Sequence, residues 1–125
     1  MRALFVSLLL PLLTACAPKL AVNWSFANVE EGYDHPNRMD VYVGDEKVGE
    51  SSVTPETTPN SVVVKLPKGT TEARVVNMAQ YEGVWEEHTI ANNYSIDCVW
   101  EGPVNPKGRT NLKLVFDLDQ GTIVE

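Results

Sequence analysis

The clearest pattern along this chain is a regular alternation of large apolar residues with small or polar ones. In residues 20–26 every second position is large and apolar: Leu20, Val22, Trp24 and Phe26. A period of two places such side chains on one face of a β-strand. The same alternation recurs in residues 94–100 and 112–118. All three segments are therefore predicted to be strands with one buried face.

Shorter apolar segments separated by turn-forming residues predict further strands. They are residues 39–43 and 47–51, joined by a turn at 44–46, and residues 61–66, 72–80, 84–90 and 121–125. Outside the first residues, no segment has apolar side chains at helical spacing over several turns. The predicted fold class is all-β, an antiparallel β-sandwich of about eight short strands, immunoglobulin-like or transthyretin-like in size. A small barrel is the alternative architecture.

The start of the chain has the composition of a secretory signal. Arg2 precedes an uncharged apolar run at residues 3–13, which is shorter than the roughly 20 residues that a membrane-spanning helix needs. The segment LTAC at residues 13–16 resembles the lipobox of bacterial lipoproteins. That resemblance implies that Cys16 is lipidated and becomes the first residue of the mature protein. An ordinary signal peptide cut near Ala17 is the alternative.

The lipoprotein interpretation divides the chain into three parts. Residues 1–15 form the signal peptide, residues 16–19 form the lipidated cysteine and a short tether, and residues 20–125 form a single β-sandwich domain. Two or more acyl chains hold a protein durably, since each buried methylene contributes about 0.8 kcal/mol. Such a tether reaches about 10 Å. Ala17 is not the aspartate that retains many such lipoproteins in the inner membrane, so the resemblance implies the outer membrane, facing the periplasm or the surface.

The charge balance limits the classes of partner. The chain has 17 acidic and 10 basic residues and a formal net charge of −7; removing residues 1–15 takes away only Arg2, which gives −7 − 1 = −8. This excess argues against a nucleic-acid partner and against an electrostatic contribution to membrane binding. It favours a basic protein partner. With Cys16 acylated, Cys98 has no partner for an intrachain disulfide.

Residues 36–80 also resemble the PEGA-type β module. In that module a proline-led strand, a hairpin, a Val-Gly pair and a Leu-Pro-x-Gly turn follow one another. Here they correspond to Pro36, the turn at 44–46, residues 48–49 and residues 66–69. The tetrapeptide that begins at Pro36 differs from the signature of the module, and the hairpin reads Gly-Asp instead of Asp-Gly. The resemblance implies an extracytoplasmic β module and assigns no functional residues.

Few residues are candidates for catalysis or zinc binding. Cys98 and His88 could form a nucleophilic pair, but the strand phase of Cys98 is otherwise apolar, which favours a buried thiol. Glu86 and His88, with Asp34 and His35, could bind zinc, but they have no ligand spacing signature. A solvated acidic strand face is the alternative interpretation of these residues.

Calcium ligands are conceivable in two groups, because calcium prefers oxygen atoms. One group is Asp34, Asn37 and Asp40, and the other is Asp117 and Asp119; neither follows the EF-hand spacing. No nucleotide-binding loop, Ser-His-Asp set or spaced carboxylate pair is visible. The sequence therefore predicts no catalytic residue, no metal and no cofactor, and the protein is predicted not to be an enzyme.

An aromatic binding surface is a further candidate. If Val84 and Ile90 point inward, Trp85 and Tyr81 are exposed near Tyr33. Exposed rings of this kind form a platform on which a glycan or a peptide can stack. Trp85 covering the edge of the core is the alternative interpretation.

The main functional prediction is a membrane-anchored bacterial lipoprotein whose sandwich is a non-enzymatic binding or structural module of the cell envelope. Its partners are the membrane, through the lipid on Cys16, and an envelope protein that is basic. The alternative is a small glycan- or peptide-binding module that uses Trp85, Tyr81, Tyr33 and the long loops. These loops are residues 28–38, 51–60 and 101–110, which are rich in Pro, Gly and small polar residues.

Overall fold

The computed structural model describes residues 17–125, so the predicted signal peptide and Cys16 lie outside the described part. The described chain forms ten strands and one short 3-10 turn at Ile90–Asn92. The strands are β1 Lys19–Ala27, β2 Pro36–Val43, β3 Glu46–Glu50, β4 Thr54–Pro55, β5 Asn60–Lys65, β6 Glu72–Tyr81, β7 Val84–Glu87, β8 Val99–Pro103, β9 Arg109–Asp117 and β10 Gly121–Val124. Within residues 17–125, no helix has the length and apolarity needed to cross a membrane.

The strands form two sheets, which confirms the predicted all-β sandwich. The first sheet has the order β10-β9-β1-β5. In the second sheet β3, β2 and β6 are neighbours, β4 pairs with β2, and both β7 and β8 pair with β6. β8 covers the first half of β6 and β7 the second half. One pairing, between β1 and β9, is parallel, whereas the sequence interpretation had only antiparallel strands.

The core lies between the inner faces of the two sheets. Its largest fully buried apolar side chains come from β1, β2 and β9: Leu20, Met39, Leu114 and Phe116. The alternation in residues 20–24 and 112–116 therefore identified the inner face of the first sheet correctly. The sheets approach closely at Gly49 of β3, where an added Cβ would lie 2.7 Å from Cγ1 of Val64 in β5. Only a residue without a side chain fits at this position.

A polar network is buried in the core and is held by Asn37 of β2. Its Oδ1 accepts hydrogen bonds from Nε1 of Trp24 at 3.2 Å and from Nδ2 of Asn77 at 2.9 Å. Its own Nδ2 donates to the backbone oxygen of Thr54 at 2.8 Å. Asn37 and Asn77 are fully buried. The network therefore connects both sheets to the short strand β4, and its buried polar groups form hydrogen bonds with one another in place of water.

Several predicted boundaries were wrong; the strand predicted at residues 84–90, for example, ends at Glu87. The strand predicted at residues 94–100 begins only at Val99, and residues 94–98 form a loop in which Ile96 and Cys98 are nevertheless buried. The backbone of Cys98 still lies between those of Asn77 and His88. The carbonyl oxygen of Cys98 accepts from the N–H of Asn77, and the N–H of Cys98 donates to the oxygen of His88. Burial of every second residue thus arises here without a regular strand. β2 begins at Pro36, inside the predicted loop, because β4 and β6 pair with its first residues.

Strand direction gives the sandwich two ends. Lys19 at the start of β1 pairs with Lys65 at the end of β5 and with Arg109 at the start of β9. We call this the entry end; it comprises residues 17–19, 44–46, 65–72 and 101–109. The opposite end, which we call the far end, comprises residues 28–35, 56–57, 81–84, 88–95 and 117–121.

Candidate functional site: an acidic cleft at the far end

An open cleft of about 740 Å³ lies at the far end. The loop after β1, the loop between β7 and β8, and the turn between β9 and β10 form its walls. It is lined by Asn28, Val29, Glu30, Tyr33, His35, Glu56, His88, Asn93, Tyr94, Ser95, Leu118 and Asp119. Three of these residues are acidic, and none is a lysine or an arginine. The cleft therefore attracts cationic groups.

The carboxylate of Glu56 is the most buried charged group of the cleft, with 1% of its surface exposed. Its Oε1 accepts a hydrogen bond of 2.8 Å from the backbone N–H of His35 and lies 3.0 Å from Nδ1 of the same residue. Its Oε2 has no hydrogen-bond partner among the described residues. Burial raises the pKa of Glu56, and the hydrogen bonds from His35 oppose that rise. Oε2 is itself covered by surrounding atoms, so its capacity to accept a hydrogen bond is unmet within the described residues.

Pairing of β4 with β2 explains why a loop carboxylate is buried. Pro36 and Asn37 pair with Pro55 and Thr54, and the backbone N–H of Glu56 donates to the oxygen of His35 at 3.2 Å. The loop after β3 is therefore folded back over the start of β2. Glu56 follows directly and points into the base of the cleft.

His88 lies beside Glu56 and is buried to 1% exposure. Its ring packs against the ring of Tyr94, with the centroids 4.3 Å apart, and lies 5.7 Å from the ring of Phe26. Burial lowers the pKa of His88 to about 4, so the imidazole is neutral at pH 7. Its Nδ1 is 3.8 Å from Oε2 of Glu56, and neither atom has a hydrogen-bond partner within residues 17–125. At neutral pH this contact is therefore not an ion pair.

Tyr94 and His35 complete an aromatic wall. The hydroxyl of Tyr94 donates to Oε1 of Glu86 at 2.8 Å. Burial, followed by this hydrogen bond, raises the pKa of Tyr94 well above its ordinary value. The ring of His35 stands edge-on to Tyr94 at 5.9 Å and to Tyr81 at 5.8 Å. The wall is thus apolar on its faces and polar at its tips.

The structure separates the three aromatic residues that the sequence grouped. Tyr33 is exposed and lines the cleft, and Tyr81 is exposed and contacts His35 beside it. Trp85 is half-buried under the guanidinium of Arg38, 4.6 Å from the ring centroid, and does not line the cleft. Two of the three predicted residues therefore lie at or beside the cleft, and the third belongs to the outer face of the second sheet.

The premise that Val84 and Ile90 point inward was wrong. They are 63% and 59% exposed. Val84 follows a tight turn in which Glu82 and Gly83 both have positive φ, and Ile90 begins the 3-10 turn after the chain has left β7. Period-two alternation fails here because the strand has only four residues.

The residues considered for catalysis do not form an activated pair. Cys98 is fully buried, and burial raises the pKa of its thiol far above its ordinary value. His88 contacts Cys98 through backbone atoms, and its own lowered pKa makes it a weak base. The thiol is therefore held in its unreactive, protonated form.

Several of the residues considered for metal binding have other partners. Within residues 17–125, no three His, Cys, Asp or Glu side chains are grouped so that they could hold a metal ion. Asp34 accepts from Thr57, Asp40 from Arg38 and Asp117 from Asn28. Sequence reasoning also missed Glu56, because a single acid in a loop rich in Thr and Pro has no periodic or spacing signal.

Comparison with known proteins bears on the fold. No protein-family model and no curated protein matches the chain, and the PEGA resemblance of residues 36–80 stays a prediction. The structure is similar to that of Serratia marcescens Lip, a membrane-bound component of the type VI secretion system, with a TM-score of 0.53 and 10% identity over 86% of this chain and 96% of that chain. For the type VI secretion lipoprotein TssJ1 from Pseudomonas aeruginosa the TM-score is 0.45 and the sequence identity is 11%, over 87% of this chain and 97% of that chain. At this identity the likeness to Lip shows the β-sandwich fold alone.

Proposed function

We propose that this protein is a lipid-anchored lipoprotein of the bacterial envelope, and that its sandwich binds an envelope protein as a non-enzymatic, accessory component of a membrane-bound assembly of the type VI secretion kind. The lipobox at residues 13–16 and the fold shared with Lip support the class. The observation that carries the binding role is the acidic cleft, with the buried carboxylate of Glu56 at its base.

The short tether fixes where this cleft would stand. The backbone is held from residue 18 onward, because the oxygen of Pro18 accepts from the N–H of Leu66 at 2.9 Å, and the N–H of Lys19 donates to the oxygen of Gly108 at 3.2 Å. A lipid on Cys16 would therefore keep the entry end close to the bilayer. β1 has nine residues, and at about 3.3 Å per residue it would carry the cleft roughly 30 Å away from the anchor.

The chemistry of the cleft favours a basic protein segment. The buried carboxylate of Glu56 adds negative charge at the base of the cleft, and a lysine or arginine side chain of a partner that enters the cleft would be attracted to it. Glu30 and Asp119 at the rim would attract the same cation. Tyr33 and Leu118 supply apolar surface for the stem of such a side chain.

The glycan-binding alternative would use Trp85 together with Tyr33 and Tyr81. The guanidinium of Arg38 covers the ring of Trp85 instead. A flat aromatic platform of three rings is therefore not supported, and a protein partner is preferred.

Site-specific photo-crosslinking in the source bacterium tests this proposal. A photoreactive amino acid at position 33 is expected to capture one envelope protein with a basic segment. The same group at Val63 is exposed on the outer face of the first sheet and serves as the matched control. Neutralising the rim by Glu30→Gln and Asp119→Asn should weaken the crosslink from position 33, whereas Glu101→Gln at the other end should not.

A second variant tests the anchor. Cys16→Ser should leave the membrane fraction and lose the crosslink. A captured protein that is the same from positions 33 and 63, or a Cys16→Ser variant that keeps both membrane association and partner, would contradict the proposal.

A further inference from the structure

Three basic residues form one row across the first sheet at the entry end. Lys19 of β1 lies directly opposite Lys65 of β5 on one side and Arg109 of β9 on the other. All three are exposed, whereas Leu20, the next residue of β1, is buried, so the row lies on the outer face of the sheet. Directly opposed side chains have their Cβ atoms about 5 Å apart, and like charges at that spacing are destabilising. A bound anion would therefore reduce the repulsion within the row.

Two loops add to this charge. Lys68 lies in the turn that follows β5, and Lys107 lies in the loop that precedes β9; both are exposed. We call the five residues Lys19, Lys65, Lys68, Lys107 and Arg109 the basic collar. The collar surrounds the point where the chain enters the fold.

The collar has no internal counter-charge. None of its members forms an ion pair within residues 17–125, and the one side-chain hydrogen bond of Arg109 there is to the neutral Asn111. The basic residues outside the collar in that range all contact an acidic or aromatic side chain. Arg38 pairs with Asp40, Lys47 with Glu50 and Lys113 with Glu125, and Arg74 lies over the ring of Tyr42.

Acidic residues at this end belong to the other sheet. Asp45 lies in the turn between β2 and β3, and Glu72 and Glu101 lie on β6 and β8. The collar residues belong to strands of the first sheet or to the loops that lead into or out of them. Positive charge is therefore gathered on the side of the entry end that carries β1. The net charge of −7, which argued against an electrostatic contribution to membrane binding, does not describe this surface.

We propose that the basic collar binds the anionic headgroups of phospholipids and thereby orients the sandwich on the membrane. The inference rests on the proposed lipidation of Cys16, which lies three residues before Lys19. Headgroup phosphates supply the counter-charges that the row lacks. The acidic far end is repelled by the same surface, so attraction and repulsion both turn the cleft away from the bilayer.

Hydrogen–deuterium exchange on reconstituted protein tests this inference. The lipidated mature protein is inserted into vesicles of phosphatidylcholine, with or without phosphatidylglycerol. The reporters are hydrogen-bonded amides of the entry end, those of Lys19, Leu66 and Thr70. The controls are the amides of Tyr33 and Asn93 at the far end. If local opening of the entry end breaks one contact between a basic side chain and the anionic surface, amide exchange there should slow about fivefold on the anionic vesicles alone. At high salt the exchange rate should return to its value on phosphatidylcholine.

A matched pair of variants assigns the effect to the collar. Lys19→Gln, Lys65→Gln and Arg109→Gln together should abolish the slowing. Because they remove the like-charge row, they should not lower the melting temperature. The control triple variant Lys47→Gln, Arg74→Gln and Lys113→Gln removes the same net charge elsewhere and should keep the slowing.

The outcomes separate the collar from the anchor. Equal exchange on both vesicle types, by a protein inserted in both, would overturn the collar and leave the anchor intact. Loss of the slowing in both triple variants would also overturn it, because net charge would then explain the effect. Protein that associates with neither vesicle type and whose intact mass shows an unmodified Cys16 would remove the anchor, and the collar inference with it.

Discussion

Acid should destabilise this protein because His88 is buried in its neutral form. Burial lowers the pKa of His88 to about 4 in the folded state, while in the unfolded chain the value returns to about 6.5. Between these two values the unfolded state binds more protons than the folded state. The free energy of unfolding therefore falls as the pH drops through this window.

The size of the effect follows from the difference between the two pKa values. A pKa difference of about 2.5 lowers the free energy of unfolding by roughly 3 kcal/mol, relative to neutral pH, once His88 is fully protonated in both states. At pH 4.5 the loss is about 2 to 3 kcal/mol. This is a large part of the 5 to 15 kcal/mol that stabilises a typical domain. The raised pKa of Glu56 acts in the opposite direction, because its contribution is present at low pH and is lost as the pH rises through the folded value.

A single variant isolates the contribution of His88. His88→Phe keeps an aromatic ring against Tyr94 and Phe26, and it removes the titrating group together with its unpartnered Nδ1. Urea unfolding followed by tryptophan fluorescence would be measured at pH 7 and pH 4.5 for both proteins. The wild type should lose about 2 to 3 kcal/mol more than the variant between these pH values. Equal losses in the two proteins would refute the assignment of acid sensitivity to His88.

Two further substitutions test the fold. Asn37→Ala removes the acceptor of two buried donors, so the free energy of unfolding, measured with urea, should fall by about 3 kcal/mol. The exposed Asn111→Ala is the control and should change this free energy little. Equal losses in the two variants would contradict the role of the network. Glu82→Asn replaces a residue at φ 51° that is followed by Gly83 at φ 81°. Because the pair Asn-Gly suits a turn of this kind, the free energy of unfolding should rise by about 0.5 to 1 kcal/mol. A lower melting temperature would show that the side chain of Glu82 has a role of its own.

The candidate site shows where sequence reasoning stops. Tyr33 was predicted as a binding residue because an exposed aromatic residue in a long loop suggests recognition, and it lines the cleft. Glu56 and His88 were not joined, because they are brought together by the pairing of β4 with β2 and by the exit of the chain from β7. Trp85 was misplaced because the contact that covers it comes from Arg38, which is distant in sequence.

The sequence by itself determined the fold class and the inner face of the first sheet. A strand exposes alternate side chains to opposite sides, so Leu20, Val22 and Trp24 had to be buried together whichever strand they paired with. Which strands became neighbours was decided only by the tertiary structure. The parallel pairing of β1 with β9 joins segments about ninety residues apart, and local patterns carry no information about contacts over such a distance. That same pairing aligns Lys19 with Arg109 and gathers the basic collar, which the net charge of the chain conceals.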